Sequence, residues 1–219
     1  MQGLPRPAAV VCDLDGTLVD TVPTRITAWL QTFGEFRLPA DRDHLASLIG
    51  SDGKWLTMQV AARAGRPVGE AAAEVIDRRA GEIYRELNTA PRPLSGAVPF
   101  LAALRAAGIR WAIATSSRSA QVGASVSALN LDEPPIVVDG SGVGNAKPAP
   151  DLLLAAAAAL GAEPDSCWCV GDSVWDVRAA IAAEMIPLGV TTGSATRGEL
   201  LADGALVVVD RLDRLVDAL

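Results

Sequence analysis

Six short hydrophobic runs constrain the fold of this chain more than any other feature of its sequence. They occupy residues 8–13, 109–117, 135–140, 166–172, 186–193 and 205–210. The runs are continuous rather than alternating, which is typical of strands buried on both faces of a parallel sheet. Helix-like segments lie between them, at 98–108, 149–161 and 175–185. Strands alternating with helices predict a doubly wound, Rossmann-like α/β sheet.

One segment interrupts this alternation. Residues 21–90 contain no strand-like run, and their pattern predicts four helices. The proline- and glycine-containing stretch "APRPLSG", residues 90–96, follows them and is typical of a hinge. We therefore predict an α/β core made of residues 1–20 and 91–219, with residues 21–90 inserted as an α-helical cap domain.

Composition limits the partners of the chain. Its 219 residues carry a formal net charge of −7, which argues against nucleic acid and anionic membranes as main partners. No signal peptide opens the sequence, and every hydrophobic run is too short to span a bilayer. Three cysteines, an odd number, do not suggest a disulfide framework. We expect a cytoplasmic protein, either a monomer or a homodimer.

Two aspartates follow the first hydrophobic run, with one leucine between them. Residues two apart on a strand point to the same side, so Asp13 and Asp15 lie together where parallel α/β sheets bind ligands. Like charges this close repel each other unless a cation or a proton lies between them. A divalent cation bound by oxygen ligands explains the pair. A turn or helix cap would explain only one of the two.

The fourth hydrophobic run also leads into acidic residues. Asp172 and Asp176 lie four residues apart at a predicted helix start, where either one alone can be a helix N-cap. Together with Asp13 and Asp15 they would form a cluster of four carboxylates at one edge of the sheet. Such a cluster favours a bound metal ion.

Two other loops offer groups that bind phosphate. Thr115, Ser116 and Ser117 end the second run, and their hydroxyls and amides precede a helix N-terminus. Lys147 lies in the loop "GNAKPAPD" and can neutralise either the acids or a phosphoryl group. Each of these features is common by itself, so the evidence lies in their combination.

Four motifs occur in one order along the chain: "DLDGTLVD", "IATS", "KPAPDLLL" and "GDSVWDV". With them the sequence resembles the haloacid dehalogenase (HAD) superfamily over nearly its whole length. The resemblance is to the branch of phosphoglycolate phosphatase and β-phosphoglucomutase, in which a helical cap follows the first motif. It implies an α/β core with a cap and phosphoryl-transfer chemistry, because the dehalogenases of the superfamily lack an aspartate at the position of Asp15.

The resemblance also implies roles for individual residues. Asp13 would be the nucleophile that forms an aspartyl-phosphate, and Asp15 would be the general acid–base. Thr115 and the Ser116 amide would bind the phosphoryl oxygens. Lys147 would stabilise both the nucleophile and the transferring group.

The implied cofactor is Mg²⁺. Asp13, Asp172 and the main-chain carbonyl of Asp15 would be its ligands, and Asp176 would support them directly or through water. The family pattern has a glycine after the fourth motif where this chain has Glu184, which puts the local turn geometry in question.

Substrate selection would belong to the cap. The resemblance suggests that "LIGSDGKWL", residues 48–56, faces the active site, so that Gly50 and Lys54 contact the substrate. Lys54 can equally be a solvated residue at an ordinary helix start. A phosphonatase-like Schiff base on Lys54 is a further alternative.

These features predict a Mg²⁺-dependent phosphatase that hydrolyses a small phosphate monoester. A phosphomutase of the β-phosphoglucomutase kind would use the same residues and differ only in what accepts the phosphoryl group. A receiver-like regulatory domain phosphorylated on aspartate is the alternative that is not an enzyme. The inserted cap and the proton-transfer role of Asp15 argue against that alternative.

Overall fold

In the computed structural model, which describes residues 4–219, all six hydrophobic runs form strands of one parallel sheet. The strands are β1 Ala9–Cys12, β2 Arg110–Thr115, β3 Ile136–Asp139, β4 Cys167–Gly171, β5 Ile186–Val190 and β6 Val207–Val209. The strand order across the sheet is β3-β2-β1-β4-β5-β6, so β1 lies between β2 and β4. The predicted α/β class and parallel sheet are confirmed.

Helices cover both faces of the sheet and fill the interruption after β1. The helices are α1 Val22–Glu35, α2 Arg42–Leu48, α3 Gly53–Arg63, α4 Glu70–Leu87, α5 Ala97–Ala106, α6 Ser119–Ala128, α7 Asp151–Leu160, α8 Val174–Ala182 and α9 Arg197–Ala202. The four helices predicted between residues 21 and 90 are present, and we call α1 to α4 the helical insertion. Two of the other helices, α6 and α9, were not identified from the sequence as separate elements.

The sheet separates two hydrophobic clusters, which explains why the central strand β1 is hydrophobic at every position. Val10 and Cys12 of β1 belong to one cluster, together with Phe100 of α5. The intervening Ala9 and Val11 belong to the other cluster, with Leu152 and its neighbours on α7. Because successive strand residues point to opposite faces, both faces of β1 are buried.

The helical insertion packs around a third hydrophobic cluster. Ile26, Trp29 and Phe33 of α1 contribute to it, and Trp175 of α8 enters it from the α/β core. The indole nitrogen of Trp175 donates a hydrogen bond to the Ser47 carbonyl at 3.1 Å. The bounds of a separate cap domain, residues 21–90, stay a prediction.

Within residues 4–219, no helix combines the length and the hydrophobicity that crossing a membrane requires. The three cysteines are free and buried: Cys12 ends β1, while Cys167 and Cys169 lie in β4.

Glu184 occupies a backbone conformation that glycine adopts more easily. It follows the end of α8 with a φ of 60°, in the left-handed region. A left-handed L-residue costs about 1–2 kcal/mol, so we expect Glu184→Gly to raise the free energy of unfolding by about 1 kcal/mol. Urea denaturation measures this change. Glu184→Ala is the matched control because it keeps a β-carbon, and an equal gain in both variants would contradict the explanation.

Candidate active site

The candidate site lies where β1, β2 and β4 end. Cys12, the last residue of β1, is in register with Ile113 of β2 and Val170 of β4. The residues that follow these three positions therefore converge at one edge of the sheet. They include Asp13 and Asp172, as the strand pattern predicted.

Lys147 joins two acids inside the protein. Its ammonium group lies 2.6 Å from Asp13 Oδ1 and 2.7 Å from Asp176 Oδ1, and it donates a hydrogen bond to the Ala114 carbonyl at 2.8 Å. Only 1% of the Lys147 side chain is exposed. Burial by itself would lower the pKa of Lys147, but Asp13 and Asp176 outweigh burial and raise it. Lys147 is therefore a fixed positive charge beside Asp13.

Three carboxylates lie together around this lysine. One oxygen from each of Asp13, Asp172 and Asp176 falls within 4.8 Å of the others, and all three residues are buried. Burial raises the pKa of Asp13 well above its usual range, and burial together with the nearby Asp176 raises the pKa of Asp172 to about 7. When the three carboxylates are ionised, one lysine leaves them with excess negative charge, so a divalent cation with oxygen ligands fits this cluster.

Two glycines allow the chain to approach Asp172 closely. A β-carbon on Gly193 would lie 1.9 Å from Asp172 Oδ2, and one on Gly16 would lie 2.6 Å from the same atom. The Ser194 amide donates to Asp172 Oδ2 at 2.7 Å, and the Thr17 hydroxyl donates to Oδ1 at 3.0 Å. The carboxylate is therefore fixed in orientation. The sequence did not single out the loop after β5, which supplies Gly193 and Ser194.

Asp176 has a structural contact as well as its place in the cluster. It accepts the Ser173 amide at 3.0 Å and forms a capping box with Ser173 at the start of α8. Its other oxygen faces Lys147. The N-cap of α8 is therefore Ser173, and neither Asp172 nor Asp176 is the N-cap that the sequence offered; Asp176 supports the cap from the third helical position while it belongs to the acidic cluster.

Asp15 points away from the other acids and is held by four hydrogen bonds. Thr21 and Tyr84 donate to its Oδ1 at 2.6 and 3.0 Å, and Ser117 and Arg25 donate to its Oδ2 at 2.8 and 2.9 Å. Burial alone would raise the pKa of Asp15, but the Arg25 charge and these hydrogen bonds hold it below its usual value. The proposed metal contact of Asp15 concerns its main-chain carbonyl and stays a prediction.

Arg25 and Tyr84 were not identified from the sequence as site residues; they come from α1 and α4 of the helical insertion. One sequence feature marks Arg25. It shares a helix face with Val22 and Trp29, three residues before it and four after it, and both are buried. A charged residue on a buried helix face needs a polar or charged partner, but the sequence alone does not identify Asp15 as that partner.

The predicted phosphate-binding residues lie beside Asp13. Thr115 is buried at the end of β2, and its hydroxyl accepts the Ser117 amide at 3.1 Å. The Ser116 hydroxyl donates to the Gly50 carbonyl at 3.0 Å, which brings the predicted specificity loop against the core. The sequence thus identified the residues on both sides of this contact.

A cavity of about 60 Å³ lies between the sheet edge and the helical insertion. Asp13, Asp15, Thr115 and Ser116 line one side of it, together with Arg118. The insertion contributes, among others, Arg25, Trp29, Gly50 and Asp77. The cavity therefore offers the predicted nucleophile to a small bound molecule.

Lys54 lies elsewhere. Its side chain is 33% exposed and sits 3.5 Å from Glu70 on the surface, and it does not line this cavity. This position favours the solvated alternative. A substrate contact by Lys54 stays a prediction that the geometry does not support.

The pair of Asp13 and Lys147, with Asp172 and Asp176 beside it, places both a carboxylate and a positive charge at the edge of the sheet where parallel α/β proteins bind ligands. The sequence profile described as haloacid dehalogenase-like hydrolase matches residues 7–184. The chain belongs to this family, in the branch of phosphoglycolate phosphatase and β-phosphoglucomutase, and it is a phosphoric monoester hydrolase.

Three similar proteins illustrate the relationship. A phosphoglycolate phosphatase from Rhodospirillum rubrum is 35% identical, over 96% of this chain and 90% of that protein. A β-phosphoglucomutase from Bacillus subtilis is 28% identical, over 87% of this chain and 86% of that protein. The crystal structure of a hydrolase from Pseudomonas syringae superposes with a TM-score of 0.90 at 31% identity, covering 95% of this chain and 96% of that one.

Proposed function

We propose that this chain is a cytoplasmic Mg²⁺-dependent phosphatase, which hydrolyses a small phosphate monoester through an aspartyl-phosphate on Asp13. The contact that carries the proposal is the buried pair of Asp13 and Lys147, 2.6 Å apart, at a cavity that Thr115 and Ser116 also line. The proposed substrate is a small phosphorylated metabolite, because a cavity of about 60 Å³ leaves little room for a larger one. The formal net charge of −7 argues against nucleic acid as a partner.

Phosphoryl transfer depends above all on positioning and on compensation of charge. Lys147 holds the Asp13 carboxylate and reduces its repulsion of an incoming phosphate. Thr115 and the Ser116 amide hold the phosphoryl oxygens while an oxygen of Asp13 attacks phosphorus. Asp13, Asp172 and Asp176 would hold Mg²⁺, which when bound supplies further positive charge to the transferring group.

Asp15 moves the protons. In its protonated form, which the water-attack step regenerates in each turnover, it gives a proton to the leaving oxygen as the bond between that oxygen and phosphorus breaks. It then takes a proton from the water molecule that attacks the aspartyl-phosphate. Two displacements through a covalent intermediate replace one more difficult displacement.

The acidic cluster predicts how pH acts on the metal-free protein. The pKa of Asp172 is about 7 when folded, against about 3.9 for an unfolded aspartate, so the native state keeps a proton that the unfolded state has already released. Stability should fall as pH rises from about 5 to 7.5, by a few kcal/mol at 1.36 kcal/mol per pKa unit. Urea titrations at several pH values measure this fall.

Mg²⁺ should reduce this loss of stability, because it binds the ionised cluster only in the folded protein. The control is the same titration in EDTA at matched ionic strength. Equal pH dependence with and without Mg²⁺ would contradict a metal site formed by these acids.

A screen of phosphorylated metabolites tests the proposed function. Phosphate release is measured with Mg²⁺, with EDTA and with added Ca²⁺. We expect activity only with Mg²⁺, and inhibition by Ca²⁺, because Ca²⁺ prefers longer bonds and more ligands. Full activity in EDTA would contradict the proposal.

A phosphomutase is the second candidate, because the chain resembles a β-phosphoglucomutase as well as phosphatases. The two activities differ in the acceptor of the phosphoryl group. Incubation with a sugar monophosphate, with and without the corresponding bisphosphate, separates them. A mutase would give an isomeric sugar phosphate, whereas the phosphatase gives free phosphate.

A further inference from the structure

We propose that Asp77 determines specificity, because it makes the site favour a phosphate monoester whose leaving group carries hydroxyl groups over one whose leaving group carries a carboxylate. The inference rests on the proposed function, since it concerns the substrate of that same reaction. The chemical class that it assigns to the leaving group is a small neutral polyol or sugar.

Asp77 offers a free hydrogen-bond acceptor at the candidate site. It belongs to α4 of the helical insertion and lines the same cavity as Asp13. Its Oδ2 accepts a hydrogen bond from Arg118 at 2.6 Å, whereas no group among residues 4–219 donates a hydrogen bond to its Oδ1. The side chain is 15% exposed. One oxygen of this carboxylate can therefore bind a molecule that enters the cavity.

Gly53, the first residue of α3, leaves room for this free oxygen. A β-carbon at Gly53 would lie 2.0 Å from Asp77 Oδ1. Both residues line the cavity, so the oxygen lies at the cavity wall. A hydroxyl group is small, and it can donate the hydrogen bond that Oδ1 lacks.

The charges along the cavity oppose a second anionic group on the substrate. The cations that line it, within residues 4–219, are Arg25 and Arg118. Arg25 pairs with Asp15 at 2.9 Å. Arg118 pairs with both Asp77 and Glu74, at 2.6 and 2.9 Å. A carboxylate on the leaving group would thus meet the like charge of Asp77, while both of these cations already have partners.

The apolar part of the wall suits the carbon chain of a polyol or sugar. Trp29, Ile49 and Leu56 of the helical insertion line the cavity. The C–H groups of such a molecule pack against apolar and aromatic side chains, while a few polar groups fix its orientation. A hydroxylated leaving group therefore satisfies both the apolar wall and the free oxygen of Asp77.

Repulsion of a carboxylate requires that Asp77 is ionised. Burial raises the pKa of Asp77, and the hydrogen bond from Arg118 opposes that rise. The assays are therefore run at about pH 8, roughly four units above the ordinary pKa of an aspartate.

Two substrates that differ in one group test the selection. Glycerol 3-phosphate carries a hydroxymethyl group where 3-phosphoglycerate carries a carboxylate. We expect the wild-type kcat/KM for glycerol 3-phosphate to exceed that for 3-phosphoglycerate by at least about 10-fold, the effect of one hydrogen bond to a charged group. Phosphate release in the presence of Mg²⁺ is the measurement.

Variants of Asp77 separate its charge from its hydrogen bond. Asp77→Asn removes the charge at nearly constant size, so it should raise kcat/KM for 3-phosphoglycerate and reduce the preference by at least about 3-fold. Asp77→Ala also removes the acceptor and should lower kcat/KM for glycerol 3-phosphate by about 10-fold. Glu82→Gln is the matched control and should change neither value, because Glu82 lies on the same helix, pairs with Arg79 and does not line the cavity.

Glu74→Gln distinguishes substrate selection from attachment of the insertion to the sheet. Glu74 shares Arg118 with Asp77 but does not line the cavity. If Arg118 only tethered the insertion, Glu74→Gln and Asp77→Asn would have the same effect. We expect Glu74→Gln to leave the ratio of the two substrates within about 3-fold of the wild-type ratio, because its ion pair is partly exposed.

A wild-type preference for glycerol 3-phosphate that Asp77→Asn reduces and Glu74→Gln keeps supports the proposal. An unchanged ratio in Asp77→Asn, or a wild-type preference for 3-phosphoglycerate, would overturn it. If circular dichroism shows that Asp77→Asn does not fold, Asp77→Ser takes its place. Hydrolysis of nitrophenyl phosphate without the expected preference overturns the selection alone, whereas no hydrolysis of any phosphate ester overturns the proposed function.

Discussion

Replacing Asp13 with asparagine is expected to lower turnover by on the order of 10⁴-fold or more while leaving the fold intact, the scale seen when a nucleophile is removed. The amide has nearly the same size as the carboxylate, but it cannot form the aspartyl-phosphate. Lys147 keeps its contact with Asp176, so no buried charge loses every partner. Steady-state release of phosphate measures the loss.

Measuring the stability of Asp13→Asn distinguishes a loss of catalytic chemistry from a loss of folding. Burial raises the pKa of Asp13, so an uncharged amide should leave the urea midpoint unchanged or slightly higher. Asp132→Asn is the matched control, because Asp132 forms an exposed pair with Arg105 far from the site. Near-wild-type activity of Asp13→Asn would contradict the covalent mechanism.

Removing the charge of Lys147 is expected to destabilise the protein and to abolish most activity. Lys147→Met leaves Asp13 and Asp176 buried without their cation. Breaking a buried ion pair by removing one partner costs about 3–5 kcal/mol. We expect a loss of this size in the free energy of unfolding, measured with urea at neutral pH without Mg²⁺. Turnover should fall because phosphate then meets an uncompensated carboxylate.

Two comparisons sharpen this prediction. Lys54→Met should change stability by less than about 1 kcal/mol, because its pair with Glu70 is at the surface. Adding Asp13→Asn to Lys147→Met removes one of the unpaired charges and should recover part of the lost stability. A Lys147→Met protein as stable as the wild type would contradict the buried ion pair.

The sequence predicted the α/β core well because its main determinants are local. Each strand is a short hydrophobic run, and parallel strands end at one edge of the sheet, so acids after different strands converge there. Asp13 and Asp172 meet for this reason. Two helices were less evident: α6 contains three serines and a glycine among its ten residues, and α9 has only six residues.

The predictions were weaker where contacts cross between the helical insertion and the sheet. Arg25 and Tyr84 reach Asp15 only through the packing of α1 and α4, which no local pattern specifies. For Lys54, the sequence suggested a contact that the geometry does not support. Its place in a glycine-containing loop suggested a contact with substrate, while its neighbour Glu70 lies 16 residues away in sequence.

Phosphorylation of Asp13 is the central claim, and rapid acid quenching during turnover tests it most directly. The wild-type protein is mixed with substrate and Mg²⁺, quenched within milliseconds, digested and mapped by mass spectrometry. We predict a phosphorylated peptide whose modified residue is Asp13, and no such peptide from Asp13→Asn. Phosphorylation at another residue, or full turnover by Asp13→Asn, would contradict the account.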